Sequence, residues 1–208
     1  MQRVENIANR IERPDQEEAM KTAEAQHPSP NTAEGDSARD LSTDEHFMTL
    51  ALEQAEAALA KGEFPVGCVI VHEGRVIVTG KRRGTAGTGK NETDHAEIVA
   101  LRNLGEMEPT ASPAEMTLYC TMEPCLMCYA AIILAGIGRI VYAYEDAMGG
   151  GTGCDLQGLT PLYRDSNVTI ASHVLRQESL ALFKRFFQGE GNDYWKGSYL
   201  AEYTLSTR

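Results

Sequence analysis

His95-Ala96-Glu97 and, further along, Pro124-Cys125-Leu126-Met127-Cys128 are the stretches that decide how this chain is read. His95 opens an apolar-periodic run, Ile98, Val99, Leu101 and Leu104, that predicts a helix. Cys125 opens a second one through Met127, Ala130, Ala131, Ile133 and Leu134, with Pro124 at its threshold, where a missing N–H is harmless. A strand through Thr117, Leu118 and Tyr119 precedes it. The His and both Cys therefore belong in first helical turns. Helix N-termini carry partial positive charge and lower thiol pKa values, which favours a metal-bound thiolate.

The residue types specify the chemistry. A structural zinc site takes four protein ligands, whereas a catalytic one keeps three and leaves a position for water. His95, Cys125 and Cys128 supply three, and no other Cys or His lies close in sequence to complete a tetrad. One Zn2+ per chain is the expected cofactor. Zinc lowers the pKa of its water toward about 7. Glu97, beside ligand His95, can face that water without occupying the metal, and proton transfer by such a group contributes about 10²–10⁴-fold. Removal of an exocyclic amine from an aromatic ring needs this pairing of a nucleophile with a carboxylate that protonates the departing amine. The order HxE then PCxxC is the mark of zinc base deaminases. A redox CxxC or a closed structural site are the alternatives, the latter needing His72, His173 or Cys154 as a fourth ligand. A non-catalytic zinc-binding partner subunit is expected to lack the shuttle carboxylate, which Glu97 supplies here.

At these residues the chain resembles the cytidine/deoxycytidylate deaminase superfamily, closest to the branch of tRNA adenosine deaminases, guanine deaminases and fungal-type cytosine deaminases. Phe64-Pro65-Val66-Gly67-Cys68 is similar to that family's first-strand segment, and Ile132 to Tyr144 to its third helix and fourth strand. The resemblance runs from about Leu41 to Gln188. It implies a three-layer α/β/α sandwich around a five-stranded mixed sheet, homodimers or larger assemblies, and base contacts at Val66 and Ala96. C-terminal aromatics covering the pocket are also implied, which makes Trp195 a further substrate-binding candidate.

The residues read as an α/β chain in their own right. A helical run from Asp44 to Lys61 precedes short strands at Val66–Val71 and Arg75–Thr79, joined by a His72-Glu73-Gly74 turn. The two motif helices alternate with strands ending at Cys120, at Arg139–Tyr144 and at Val168–Ala171, before an amphipathic helix from Leu175 to Phe187. Of 208 residues, 42% are hydrophobic and 24% charged, fitting one deaminase domain over residues 41–188. No segment is apolar enough to span a membrane, and the N-terminus lacks a secretory pattern. Five Cys fit a reducing, cytoplasmic compartment, with Cys68, Cys120 and Cys154 read as small buried apolar residues. Residues 1–40 are polar and aromatic-free and are expected to be disordered. A docking helix through Val4, Ile7 and Ile11 is the alternative. Residues 189–208 form an aromatic tail, with Tyr194, Trp195, Tyr199 and Tyr203 either packing on the domain or acting as a lid.

The substrate is less legible. In the family an Asn soon after the second strand contacts sugar or base, but here the stretch is Thr79-Gly80-Lys81-Arg82-Arg83-Gly84, and Asn91 lies further on. The basic triplet reads either as a clamp for a substrate phosphate, Arg82 foremost, or as a solvated loop end. The formal charge is −11; nine acidic and five basic side chains in residues 1–43 leave −4 there and −7 for the remainder. Proteins that hold large nucleic acids carry a basic footprint. The expected partner is therefore a free base, nucleoside or nucleotide, with tRNA adenosine as the competitor. The run Gly149-Gly150-Gly151-Thr152-Gly153 lacks the P-loop pattern and reads as a flexible turn rather than a phosphate cradle.

Overall fold

The computed structural model describes residues 37–87, 90–107, 111–190 and 192–208. The expectations about the N-terminal extension lie outside the described residues, apart from the helix start at Ser37. Helix α1 spans Ser37–Leu59, strands β1 and β2 span Gly67–His72 and Arg75–Lys81, and α2 spans Ala96–Glu106. Then come β3 (Thr117–Met122), α3 (Leu126–Ala135), β4 (Arg139–Tyr144), a single turn α4 (Pro161–Arg164), β5 (Thr169–Ala171), α5 (Arg176–Gln188) and α6 (Tyr199–Ser206).

The five strands form one sheet in the order β2-β1-β3-β4-β5. β1 runs antiparallel to both β2 and β3, while β3, β4 and β5 are mutually parallel. The mixed sheet follows from the connections. The tight turn after His72 returns the chain antiparallel, whereas α3 is a crossover helix that sets β4 parallel to β3.

Alternation along the strands splits the core in two. Val69, Val71, Tyr119, Val141 and Ala143 face Phe47, Met48 and Ala51 of α1. Cys68, Ile70, Leu118, Cys120 and Ile140 face the opposite way, toward Ala96, Ala100 and Leu104 of α2 and Ile132 of α3. Helix α5 touches α1, β3 and β4, and carries α6 against it. Phe64 joins the two ends, its ring 5.1 Å from Phe183 and 5.6 Å from Tyr194. Below the sheet Arg139 makes paired bonds of 2.7 Å to the buried Asp44, which also accepts from Tyr119 Oη at 2.8 Å. The pair ties α1 to β3 and β4.

The predicted strands and helices all occur, with ends shifted by a residue or two, except that α1 starts well before Asp44. Helix α6 lies where only an aromatic tail was expected. Ser198 starts it by accepting from Ala201 N at 3.2 Å, and Leu200, Ala201 and Thr204 are buried. No described helix is long and apolar enough to cross a membrane.

Candidate metal and substrate site

Two helix starts and one loop build the site. His95 is the N-cap of α2 (φ −63°, ψ 155°) and Cys125 the N-cap of α3 (φ −64°, ψ 167°). They sit just ahead of the first turns in which they were expected, and Cys128 lies inside one. Each cap's carbonyl accepts the first helical bond, from Val99 N at 2.9 Å and Tyr129 N at 2.8 Å. The side chains are thereby left free to turn toward each other. Gly80 makes the approach of α2 feasible: a Cβ there would lie 2.1 Å from the Ala96 carbonyl oxygen.

His95 Nδ1 lies 3.6 Å from Cys125 Sγ and 3.5 Å from Cys128 Sγ. A tetrahedral zinc with bonds of about 2.0–2.1 Å to nitrogen and about 2.3 Å to sulfur holds such ligands about 3.5 Å apart. The donor set therefore fits zinc in both chemistry and spacing. Among the described residues this triad is the group of Cys, His and acidic side chains able to hold a metal. The suggested fourth ligands go elsewhere. His72 lies 3.5 Å from Glu115, His173 lies 3.6 Å from Glu145, and Cys154 is exposed. That last observation also corrects the expectation that Cys154 is buried; Cys68 and Cys120 are.

The electrostatics of the bare triad are those of groups sharing protons. Hydrogen bonding from Cys128 pulls the Cys125 thiol down to about 4 against the opposing effect of burial, with His95 adding to the pull. Cys128 moves the other way, raised by its bond to Cys125 and then by burial. For His95 burial works to lower the pKa, but Cys125 and the charge of Glu97 outweigh it and leave it raised. Glu97 is buried at 3% exposure, and desolvation raises its pKa. Its Oε2 has no hydrogen-bond partner among the described residues.

The glycine run is pinned, which corrects the reading of it as a flexible turn. Gly150 bridges Cys125 in antiparallel fashion, and Gly151 N donates to Pro124 O at 2.9 Å. A Cβ at Gly151 would come within 2.5 Å of Leu126 N, so the loop lies flush on the start of α3. Glu123 holds the same loop, accepting from Thr152 Oγ1 at 2.5 Å and from Asp146 N at 3.2 Å. Amides 149 to 152 are all committed within the protein, to Asp146, Pro124 and Glu123, so none remains to cradle phosphate. Asp146 is half-buried beside them, and desolvation pushes its carboxyl up to about 6 despite amide bonds from Gly149 and Met148.

These elements enclose a cavity of about 330 Å³, within the range of small-molecule sites. His95, Ala96, Glu97 and Cys125 form one wall, and Val66, Arg82 and Trp195 also line it, while Cys128 is buried behind. Seven of the eight proposed site residues thus line one cavity, and Cys128 completes the triad. Arg82 departs from the reading of it as a solvated loop end. It is neither a solvated loop end nor open to solvent, being 2% exposed and bonded to Glu92 at 3.1 Å and Tyr194 Oη at 3.3 Å. Asn91 turns its carbonyl oxygen to Thr93 instead. Sequence reasoning missed Glu92, Glu123, Asp146 and Met148 as lining residues. Only Glu123, adjoining Pro124, carried a signal in its position.

Comparison with known proteins agrees with this geometry. Residues 41–144 match the family model described as the cytidine and deoxycytidylate deaminase zinc-binding region. The chain is 36% identical over 145 residues to the tRNA-specific adenosine deaminase of Haemophilus influenzae, covering 70% of this chain and 83% of that one. A solved tRNA:A34 deaminase of A-to-I editing at the wobble position matches at 31% identity and TM-score 0.50, over 66% of this chain and 98% of that one. A guanine deaminase from Nitrosomonas europaea shares the fold at 24% identity and TM-score 0.56, over 68% of this chain and 83% of its own. By its matched region, its triad and its sheet, the chain belongs to the zinc-binding cytidine and deoxycytidylate deaminase family.

Proposed function

We propose that the protein is a hydrolase that removes the exocyclic amine of a nucleobase, offered as free base, nucleoside or nucleotide. Glu97 carries the reading: a buried carboxylate with an unpartnered oxygen shares a cavity wall with His95 and Cys125. In this reading His95, Cys125 and Cys128 hold one Zn2+ per chain, which when bound supplies a water reactive at neutral pH. Glu97 accepts one proton of the attacking water and hands it to the ring nitrogen, then carries the second, from the added hydroxyl, to the amine, which departs as ammonia. Its burial suits the task, because desolvation holds its pKa above the ordinary value and makes it a stronger proton acceptor. Val66 and Ala96 flank the ring, and Trp195 covers it from the C-terminal segment.

Deamination of adenosine in tRNA is the second reading, favoured by the tRNA-specific relatives. A homodimer is proposed through α3, whose Leu126, Met127 and Leu134 are exposed while Ile132 is buried. Ammonia release from a panel of bases, nucleosides and nucleotides, together with a tRNA anticodon stem-loop, tests the assignment. Release from the small molecules supports it. Release from the stem-loop alone selects the second reading, and release from none rejects both.

A further inference from the structure

Arg82 is a buried cation in the wall of the cavity, and among the described residues only one of its terminal nitrogens is used. NH2 donates to Glu92 Oε2 and to Tyr194 Oη, and the Tyr194 hydroxyl donates to the same Glu92 oxygen at 2.9 Å. This bracing holds the guanidinium in place and pairs its charge. NH1 is buried without a partner among the described residues. A buried N–H with no acceptor is unfavourable, and a ligand that brings an acceptor to it recovers that loss. With Glu92 already balancing the charge, the unmet need is for a neutral acceptor rather than for a phosphate.

The rest of the wall favours a flat ring, with Phe64, Val66, Met148 and Trp195 presenting apolar surface. A base seated with its amine at Glu97 turns another edge toward Arg82. We propose that Arg82 is the specificity-determining residue of the cavity and selects bases with a ring carbonyl one nitrogen away from the amine-bearing carbon. Guanine and cytosine share that fragment, whereas adenine has a C–H there. Arginine is the side chain matched to keto oxygens of bases, while Asn and Gln match the edge of adenine. The proposal rests on the deaminase reading above and names its substrate class. It sets this chain apart from its adenosine-specific relatives.

Trp195 is the only tryptophan of the chain and lines the cavity, so its fluorescence reports ligand binding. The zinc-loaded, full-length Glu97→Gln protein is titrated with guanosine, cytidine and adenosine, with and without Arg82→Ala. At least one of guanosine and cytidine should bind about 10- to 100-fold tighter than adenosine, the effect of one hydrogen bond to a charged donor. Arg82→Ala should shrink the gap to within about threefold. Adenosine binding as tightly as both others overturns the proposal, as does a gap that Arg82→Ala leaves unchanged. Should Arg82→Ala not fold, the order of affinities with Arg82 intact decides alone. The two readings fail differently. Arg82-dependent binding without ammonia release from any base removes the reaction but keeps the selectivity, and release from adenosine alone does the reverse.

Discussion

His95 Nδ1 lies 3.5 Å from Cys128 Sγ, although the two come from the starts of different helices on the same face of the sheet. That distance is the N to S edge of a zinc tetrahedron. Cys128→Ala should therefore abolish zinc binding. Since metal affinity adds to folding free energy, it should also lower the melting temperature. Metal analysis after dialysis, paired with thermal unfolding, checks both. Full zinc occupancy in the variant would remove Cys128 from the ligand set.

Gly151→Val should disturb the site without touching a ligand. The added side chain meets Leu126 N and the Cys125 carbonyl carbon, backbone atoms that cannot swing away. Overpacking of this kind destabilises by about 1–3 kcal/mol. Denaturant titration should show that loss, and zinc content should fall with it because Cys125 caps the displaced helix.

Glu145 offers a prediction about pH. It is 5% exposed, bonded to Arg176 and to Tyr203 Oη at 2.8 Å. Burial opposes its ionisation, but the bond from Arg176, aided by Tyr203, outweighs it and holds the pKa below its ordinary value. A carboxyl depressed in the folded state contributes stability above its unfolded pKa and loses it as pH falls through the folded value. Melting temperature should thus decline below about pH 4.5. Glu145→Gln should reduce stability by about 2 kcal/mol at pH 7, tempered by the partial exposure of Arg176. It should also flatten the acid limb of the profile, measured by melting curves from pH 3 to 7.

Trp195 tests the covering role of the C-terminal segment. It sits at φ 55° between Tyr194, whose hydroxyl is bound to Glu92, and helix α6. Trp195→Ala should raise KM several-fold, the worth of one aromatic stack, with little change in melting temperature. Unchanged KM would show that the ring does not touch the substrate. Deleting residues 190–208 is a poorer probe than it looks from sequence, because it also strips the buried Leu200, Ala201 and Thr204.

Most of the sheet was legible because its signals are local. Short apolar runs mark Gly67–His72 and Thr117–Met122, and the turn after His72 fixes the first pairing. The metal triad was legible for the same reason, since a ligand at a helix start leaves a short motif. What stayed hidden depends on contacts between distant parts of the chain. Arg82 is buried and bonded to Tyr194 and Glu92, and nothing near Arg82 announces that. The glycine run looked loose because flexibility is the usual meaning of glycine, whereas here its missing side chains let a backbone lie against Cys125. Helix α6 is short, and its buried residues make sense only against α5, Tyr144 of β4 and the cavity.

The central claim is that Glu97 moves the proton while the triad holds the metal. Glu97→Gln keeps the shape of the side chain and removes its ability to take a proton. Zinc content and ammonia release should be measured together on the base, nucleoside or nucleotide that the unaltered protein turns over. About one zinc per chain is expected, with turnover reduced by about 10²–10⁴-fold or more. Turnover at the unaltered rate in the zinc-loaded variant would contradict it.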